Sequence, residues 1–235
     1  MKIEILSEHG YNEAMIGLSL SYNQAIENMP KVVNKLLKRE LNSGELQFLE
    51  QIAVWIDVTA PRYWWQQFDK YRIGVEDDGN GHKINVPKQS ESTMHTILKR
   101  ELTQADFIEP IYESTLKELN NDIRNKEFIK VKNNLPESFL QRRTLFTNYK
   151  TLIGIIRQRK HHKLGEWDLF CNYLIENLEQ KHIIDALIVN YEMTKFSKQE
   201  MKWIKEYFDL DDFENYEYKH ENEKELLEFR KKLKC

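Results

Sequence analysis

The chain has 235 residues, 40% hydrophobic and 31% charged, with a formal net charge of -3. That length holds one large domain or two small ones and buries a sizeable core without covalent staples. The near-balanced charge argues against a nucleic-acid coat or a membrane-surface role, and two cysteines, Cys171 and Cys235, make neither a disulfide framework nor a metal knuckle. Met1-Lys2-Ile3-Glu4-Ile5 carries charge where a leader carries an apolar run, and no stretch is long and apolar enough to span a bilayer. A cytoplasmic protein is expected, with neither a membrane nor a nucleic-acid polymer as partner.

Lys2 to Leu6 alternates polar and apolar residues, which predicts a short edge strand. Ala14 to Tyr22 reads helical. Asn28-Met29-Pro30 opens a second helix, because proline is tolerated in a first turn, and Val32, Val33, Leu36 and Leu37 give it an apolar face. Asn42-Ser43-Gly44 is expected to end it. Ile52 to Val58 is β-branched and aromatic and predicts a strand. Thr59-Ala60-Pro61 then starts a helix running to about Tyr71, with Trp64 and Trp65 packed in the core. Glu76 to Pro87 contains Asp78-Gly79-Asn80-Gly81, the chemistry of a protruding hairpin or loop, and order resumes from Ser90 to Met94.

Gln104 to Leu119 places Phe107, Ile108, Ile111, Tyr112, Thr115 and Leu116 on one helical face, kinked or split at Pro110. Asn133-Asn134-Leu135-Pro136 reads as a turn into another helix. Leu145 to Arg159 is expected to be an apolar-faced helix, with Leu145, Leu152, Ile155 and Ile156 as its stripe and Asn148, Lys150 and Arg159 along its length. An amide and two cations on one helix suit phosphate oxygens. Gly165 to Asn190 reads as one or two helices, in which Cys171 is a packing residue. From Ser197 the tail is strongly charged, with Trp203, Tyr207 and Phe208 as anchors and a charged helix from Glu221 to Lys234. The predicted class is α+β, helix-rich with a small mixed sheet. Residues 1–196 are expected to form one domain with an insert at about 75–88, and 197–235 a helical extension.

Four clusters carry candidate chemistry: Gly44 to Gln51, Gln67 to Arg72, Gln89 to Ser92, and Thr147 to Arg159. Their order resembles the flavin-dependent thymidylate synthase family. That family shows Gly-His-x-Ser-x-x-Glu-His before a strand, and Gly44 and Glu50 keep its glycine and glutamate, while Glu45, Gln47 and Gln51 replace the two histidines and the serine. Lys70-Tyr71-Arg72 stands where the family has Arg-His-Arg, without a gap counted from Glu50, and Gln67 falls on the preceding glutamine. After the insert, Ser90 or Ser92 matches the family's serine, and its closing arginine is Ser92 or Met94 here. Leu135-Pro136, Asn148-Tyr149-Lys150, Arg159 and Glu166-Trp167-Asp168 follow the C-terminal motif, with the Asn148 to Arg159 spacing kept. The likeness runs from Met1 to about Asn177.

The resemblance implies FAD as cofactor, NADPH and methylenetetrahydrofolate as co-substrates, and methylation of dUMP to dTMP or a related one-carbon reaction on a pyrimidine deoxynucleotide. It implies a homotetramer with sites between subunits. It gives Glu50, Lys70, Arg72, Asn148 and Lys150 to the cofactor, Gln67, Gln89 and Arg159 to the substrate, and Ser90 or Ser92 to catalysis, with no metal. It also implies no cysteine nucleophile. Arg62, Arg142 and Arg143 are the other arginines able to replace the missing one. A second reading is a non-catalytic descendant that binds a nucleotide or a protein, and a third is an unrelated helical interaction protein. Ordinary roles compete residue by residue: Arg72 pairing with Asp69 or Glu76, Arg159 as a helix-end cation, Glu50 as a surface carboxylate, the serines as caps. His161 and His162 face different sides of a helix and do not chelate one metal together.

Overall fold

In chain order the elements are β1 (Lys2–His9), α1 (Tyr11–Tyr22), α2 (Met29–Leu36), α3 (Phe48–Gln51), β2 (Ala53–Pro61), α4 (Arg62–Phe68), β3 (Lys88–Ser90), α5 (Thr93–Thr96), α6 (Glu113–Arg124), α7 (Phe128–Asn134), β4 (Leu140–Asn148), α8 (Tyr149–Arg159), α9 (Gly165–Asn177) and α10 (Lys181–Thr194). They belong to a computed structural model that describes residues 1–71 and 86–195. The four strands form one sheet in the order β1-β2-β4-β3. The helix-rich α+β class holds, but the sheet expected to be mixed is antiparallel in every pair.

Strand periodicity sets what the sheet covers. Val54, Ile56 and Val58 of β2 and Leu145 of β4 face inward and are buried, while Trp55 points to the other face. Against the inner face pack Trp64, Trp65 and Phe68 of α4, Leu152, Ile153, Ile155 and Ile156 of α8, and Trp167 and Phe170 of α9. Trp64 is the hub: its ring lies 4.7 Å from Trp167, 5.1 Å from Phe68 and 5.2 Å from Phe170. Full burial of a large apolar side chain contributes about 1.5–3 kcal/mol, so this aromatic block fixes α4 against α8 and α9. A second, smaller core of Ile97, Leu102, Phe107, Leu119, Ile123, Val131 and Leu135 forms between β3 and β4 in sequence. Arg62 ties it to the sheet through the Leu135 carbonyl, at 3.0 Å.

Several local expectations are corrected. Leu145 to Asn148 is strand, not helix: the same residues alternate inward and outward once β4 lies between β2 and β3. Leu135-Pro136 accordingly leads into β4 and not into a helix. The second helix ends at Leu36, before Asn42, because the chain turns at Leu37 to Arg39. Pro110 does more than kink its segment: only one turn at Gln104–Asp106 and α6 are helical, and Phe107 bridges to Phe139 in extended form. The 165–190 region, expected to be one or two helices, is indeed two, α9 and α10. Arg72, most of the insert up to residue 85, and the extension from residue 196 lie outside the described residues.

One glycine is dictated by contact. Gly10 joins β1 to α1 at φ 94°, and a Cβ there would stand 2.3 Å from the Gln51 carbonyl oxygen. This close approach holds α3, and with it Glu50, against the start of α1.

Candidate functional site

Helix α8 carries candidate residues at both ends. It begins at Asn148, whose side-chain oxygen accepts a hydrogen bond from the Thr151 N–H at 2.9 Å. Asn148 is thus an N-cap, buried to 5% exposure where the last strand residue becomes the helix start. Lys150, two residues on, donates to Glu50 of α3 at 2.6 Å, both side chains being mostly shielded. Two residues assigned by resemblance to the cofactor, Glu50 and Lys150, therefore pair although they come from separate motifs, and the third, Asn148, lies two residues before Lys150 in the chain. Tyr149 between them is fully buried. Its hydroxyl donates to Glu8 of β1 and accepts from the Gln180 N–H at 2.9 Å, while Glu8 also accepts from the Glu179 N–H at 3.0 Å. Burial holds the Glu8 carboxyl above the ordinary glutamate range despite these donors, and burial raises the Tyr149 phenol as well.

The other end of α8 is built differently. Arg159 donates through Nε to the Tyr71 hydroxyl and through Nη1 to the Gln67 amide oxygen at 3.3 Å. That same oxygen accepts from the Trp167 indole N–H at 2.9 Å. The guanidinium lies 4.8 Å from the Trp167 ring and 5.5 Å from the Tyr71 ring, within cation–π range. No carboxylate among the described residues pairs with it. With its oxygen engaged twice, Gln67 is left with its NH2 as the free face, so the cluster offers N–H donors beside a cation. Such a set accepts an anionic, acceptor-only group. Burial pushes the Tyr71 phenol up, with Arg159 opposing it.

The remaining candidates disperse around this cluster. Lys70 is exposed just past the C-terminus of α4, next to Tyr71. Ser90 ends β3 directly opposite Arg143 on β4. Gln89 is exposed opposite Thr144, on the other face of the sheet from Lys88 and Ser90. Ser92 sits at the start of α5, where its carbonyl accepts from the Thr96 hydroxyl at 2.9 Å. Glu45, in place of a family histidine, pairs with Arg39 at 3.0 Å. Cys171 is fully buried, and burial pushes its thiol up to about 12, which makes it an inert packing group. Among the described residues no three His, Cys, Asp or Glu side chains gather to hold a metal. No described helix is long and apolar enough to cross a membrane.

Sequence reasoning missed Tyr71 and Trp167 as parts of this cluster. Both stood inside motifs already singled out, Tyr71 in the altered triplet and Trp167 between Glu166 and Asp168. The available signal was that each could reach a cation with an aromatic face and a polar tip.

The fold has solved counterparts. The chain shares the fold of the flavin-dependent thymidylate synthases. It superposes on the Helicobacter pylori ThyX complexed with FAD and dUMP with a TM-score of 0.60 at 14% identity, covering 80% of this chain and 99% of that one. A second structure of the same enzyme with FAD and dUMP gives 0.59 at 15%, with the same coverage. A UMP/dUMP methylase, PolB from Streptomyces cacaoi, bound with 5-Br dUMP, gives 0.55 at 11%, covering 82% of this chain and 94% of that one. No protein-family model matches the sequence, and no curated protein does.

Proposed function

We propose that this protein is an FAD-dependent transferase that adds a one-carbon unit to a pyrimidine deoxynucleotide, with dUMP to dTMP as the parent reaction. The observation that carries this reading is the meeting of Gln67 and Arg159. They belong to two motifs 92 residues apart, and they join at 3.3 Å in a cluster that leaves the Gln67 NH2 and the Arg159 guanidinium as its donors. The reading is supported by the fold, whose solved examples hold FAD and dUMP or act on UMP and dUMP.

In this reading Arg159 and the Gln67 amide bind the nucleotide's acceptor oxygens, and Tyr71 and Trp167 hold those two groups in place. Lys70, Lys150 and the Asn148 amide have the donor chemistry that a flavin diphosphate requires, and Glu50 sets the position of Lys150. FAD, when bound, supplies the hydride chemistry that a protein side chain lacks, with NADPH as reductant and methylenetetrahydrofolate as carbon donor. Ser90 or Ser92 faces the base and Arg72 joins the flavin donors, while Gln89, turned to the opposite face of the sheet, is not part of this set. The coverage of 80% of this chain against 99% of the Helicobacter enzyme supports residues 1–196 as one domain, with 197–235 an extension. A homotetramer in the cytoplasm completes the proposal.

The test is an FAD titration by visible absorbance, with and without dUMP, followed by product analysis under reducing, folate-supplied conditions. A flavin band that shifts on adding dUMP, and a methylated product, are expected. A folded protein that binds dUMP but no flavin would move the reading to a non-catalytic nucleotide-binding descendant.

A further inference from the structure

We propose that Lys88 and Arg143 form a paired-cation subsite for the nucleotide's phosphate, in place of the closing arginine that this chain lacks. This rests on the nucleotide-binding reading above. Three arginines were open to that role, and the fold separates them. Arg62 is committed to the small core, through the Leu135 carbonyl at 3.0 Å and Glu137 at 3.4 Å. Arg142 lies on the outer face of the sheet, where Nε and Nη2 grip Asp57 as a two-nitrogen fork. Arg143 lies on the inner face, directly across from Ser90, and Lys88 shares that face two residues earlier on β3.

Both side chains are largely shielded, at 13% and 16% exposure, and both reach one carboxylate. Lys88 Nζ lies 3.0 Å from Asp69, and Arg143 touches Asp69 through Nη1 alone, at 3.2 and 3.4 Å. The Arg143 Nε and Nη2 go to the neutral Gln141 oxygen, at 3.3 and 2.8 Å. Two shielded cations therefore share one acid, and the arginine's contact with it lacks the fork that makes Arg142–Asp57 tight. Burial pulls the Arg143 guanidinium down against the opposing pull of Asp69, consistent with a cation whose charge is incompletely met. A phosphate brings more oxygens and more charge than Asp69 and satisfies both. The subsite borders the described cluster: Asp69 lies two residues beyond Gln67, and Phe68 touches both sides, 5.8 Å from Lys88 Nζ and 5.7 Å from the Tyr71 ring.

The experiment measures calorimetric affinities of the full-length protein for dUMP and for inorganic phosphate, and FAD affinity by absorbance. The variants are Lys88→Gln and Arg143→Gln, each checked by thermal melting. In the Arg143→Gln background, Ser92→Arg and Met94→Arg then restore the family's arginine. Each glutamine variant is expected to weaken dUMP and phosphate by about tenfold or more with FAD unchanged, and one of the two arginines is expected to recover most of the loss. If Arg143→Gln does not fold, Lys88→Gln decides, with the same arginines placed on it. Folded variants that bind dUMP as the parent does, a loss that falls on FAD instead, or a loss that neither arginine recovers would each overturn the subsite while leaving the nucleotide reading standing. A parent protein that binds FAD but no dUMP would overturn both.

Discussion

The two ends of α8 treat a cation in opposite ways. At the N-terminal end Lys150 is neutralised within the chain by Glu50, beside the capping Asn148. At the C-terminal end, nine residues and about 13 Å further along the axis, Arg159 is held by a phenol, an amide and two aromatic faces. An ion pair inside the fold is complete without a ligand, whereas a cation held only by neutral groups keeps its charge available. The contrast favours the Arg159 end for the nucleotide in the proposed reading and gives the Glu50–Lys150 pair a structural share in its own site.

The strongest way to break this contrast is Arg159→Ala. Nucleotide affinity should fall by about 2–5 kcal/mol, well over tenfold, with the melting temperature little changed, as calorimetry against dUMP would show. Next in size is the pair at the other end. Lys150→Met leaves a shielded Glu50 carboxylate unpaired and should lower folding stability by about 1–3 kcal/mol in denaturant titrations, and adding Glu50→Gln should recover much of it. Equal stability of the single and double variants would mean that the pair contributes nothing to the fold. Trp167→Phe keeps the ring beside Arg159 but removes the donor to Gln67, and should cost about 0.5–1.5 kcal/mol in nucleotide affinity. The smallest effect is one of pH. Burial raises the folded Glu8 above its unfolded value, so its contribution is fully present below the unfolded value and is lost as pH rises through the folded one. Glu8→Gln should flatten the stability profile across that window, measured by thermal melting at stepped pH.

Much of the frame was legible because its signals are local. The alternation that makes β1, the β-branched run of β2, the proline-led start of α2 and the apolar α8 stripe each reflect a period the backbone imposes over a few residues. The Leu145–Asn148 error came from the same source: Leu145 lies seven residues, about two helical turns, before Leu152 and so matched the α8 stripe although it belongs to β4. Asn148 itself was the missed clue, since a side chain of that type directly before a helical stripe is a capping signal. The Gln67–Arg159 contact had no local signal. It became legible only through the order of motifs, which does not report distance.

The sequence by itself determined which chemical groups this protein carries and in what order: the amide and cations of four separated motifs, no arginine at 92 or 94, and a cysteine within an apolar helical pattern. Tertiary structure alone decided which of them meet. Lys150 is tied to Glu50, Arg159 to Gln67, and Arg143 rather than Arg62 or Arg142 stands across from Ser90. The reason is physical. Local propensity is worth tenths of a kcal/mol per residue and acts over one turn or one strand, whereas these meetings depend on strand register and on a buried aromatic block assembled from distant parts of the chain.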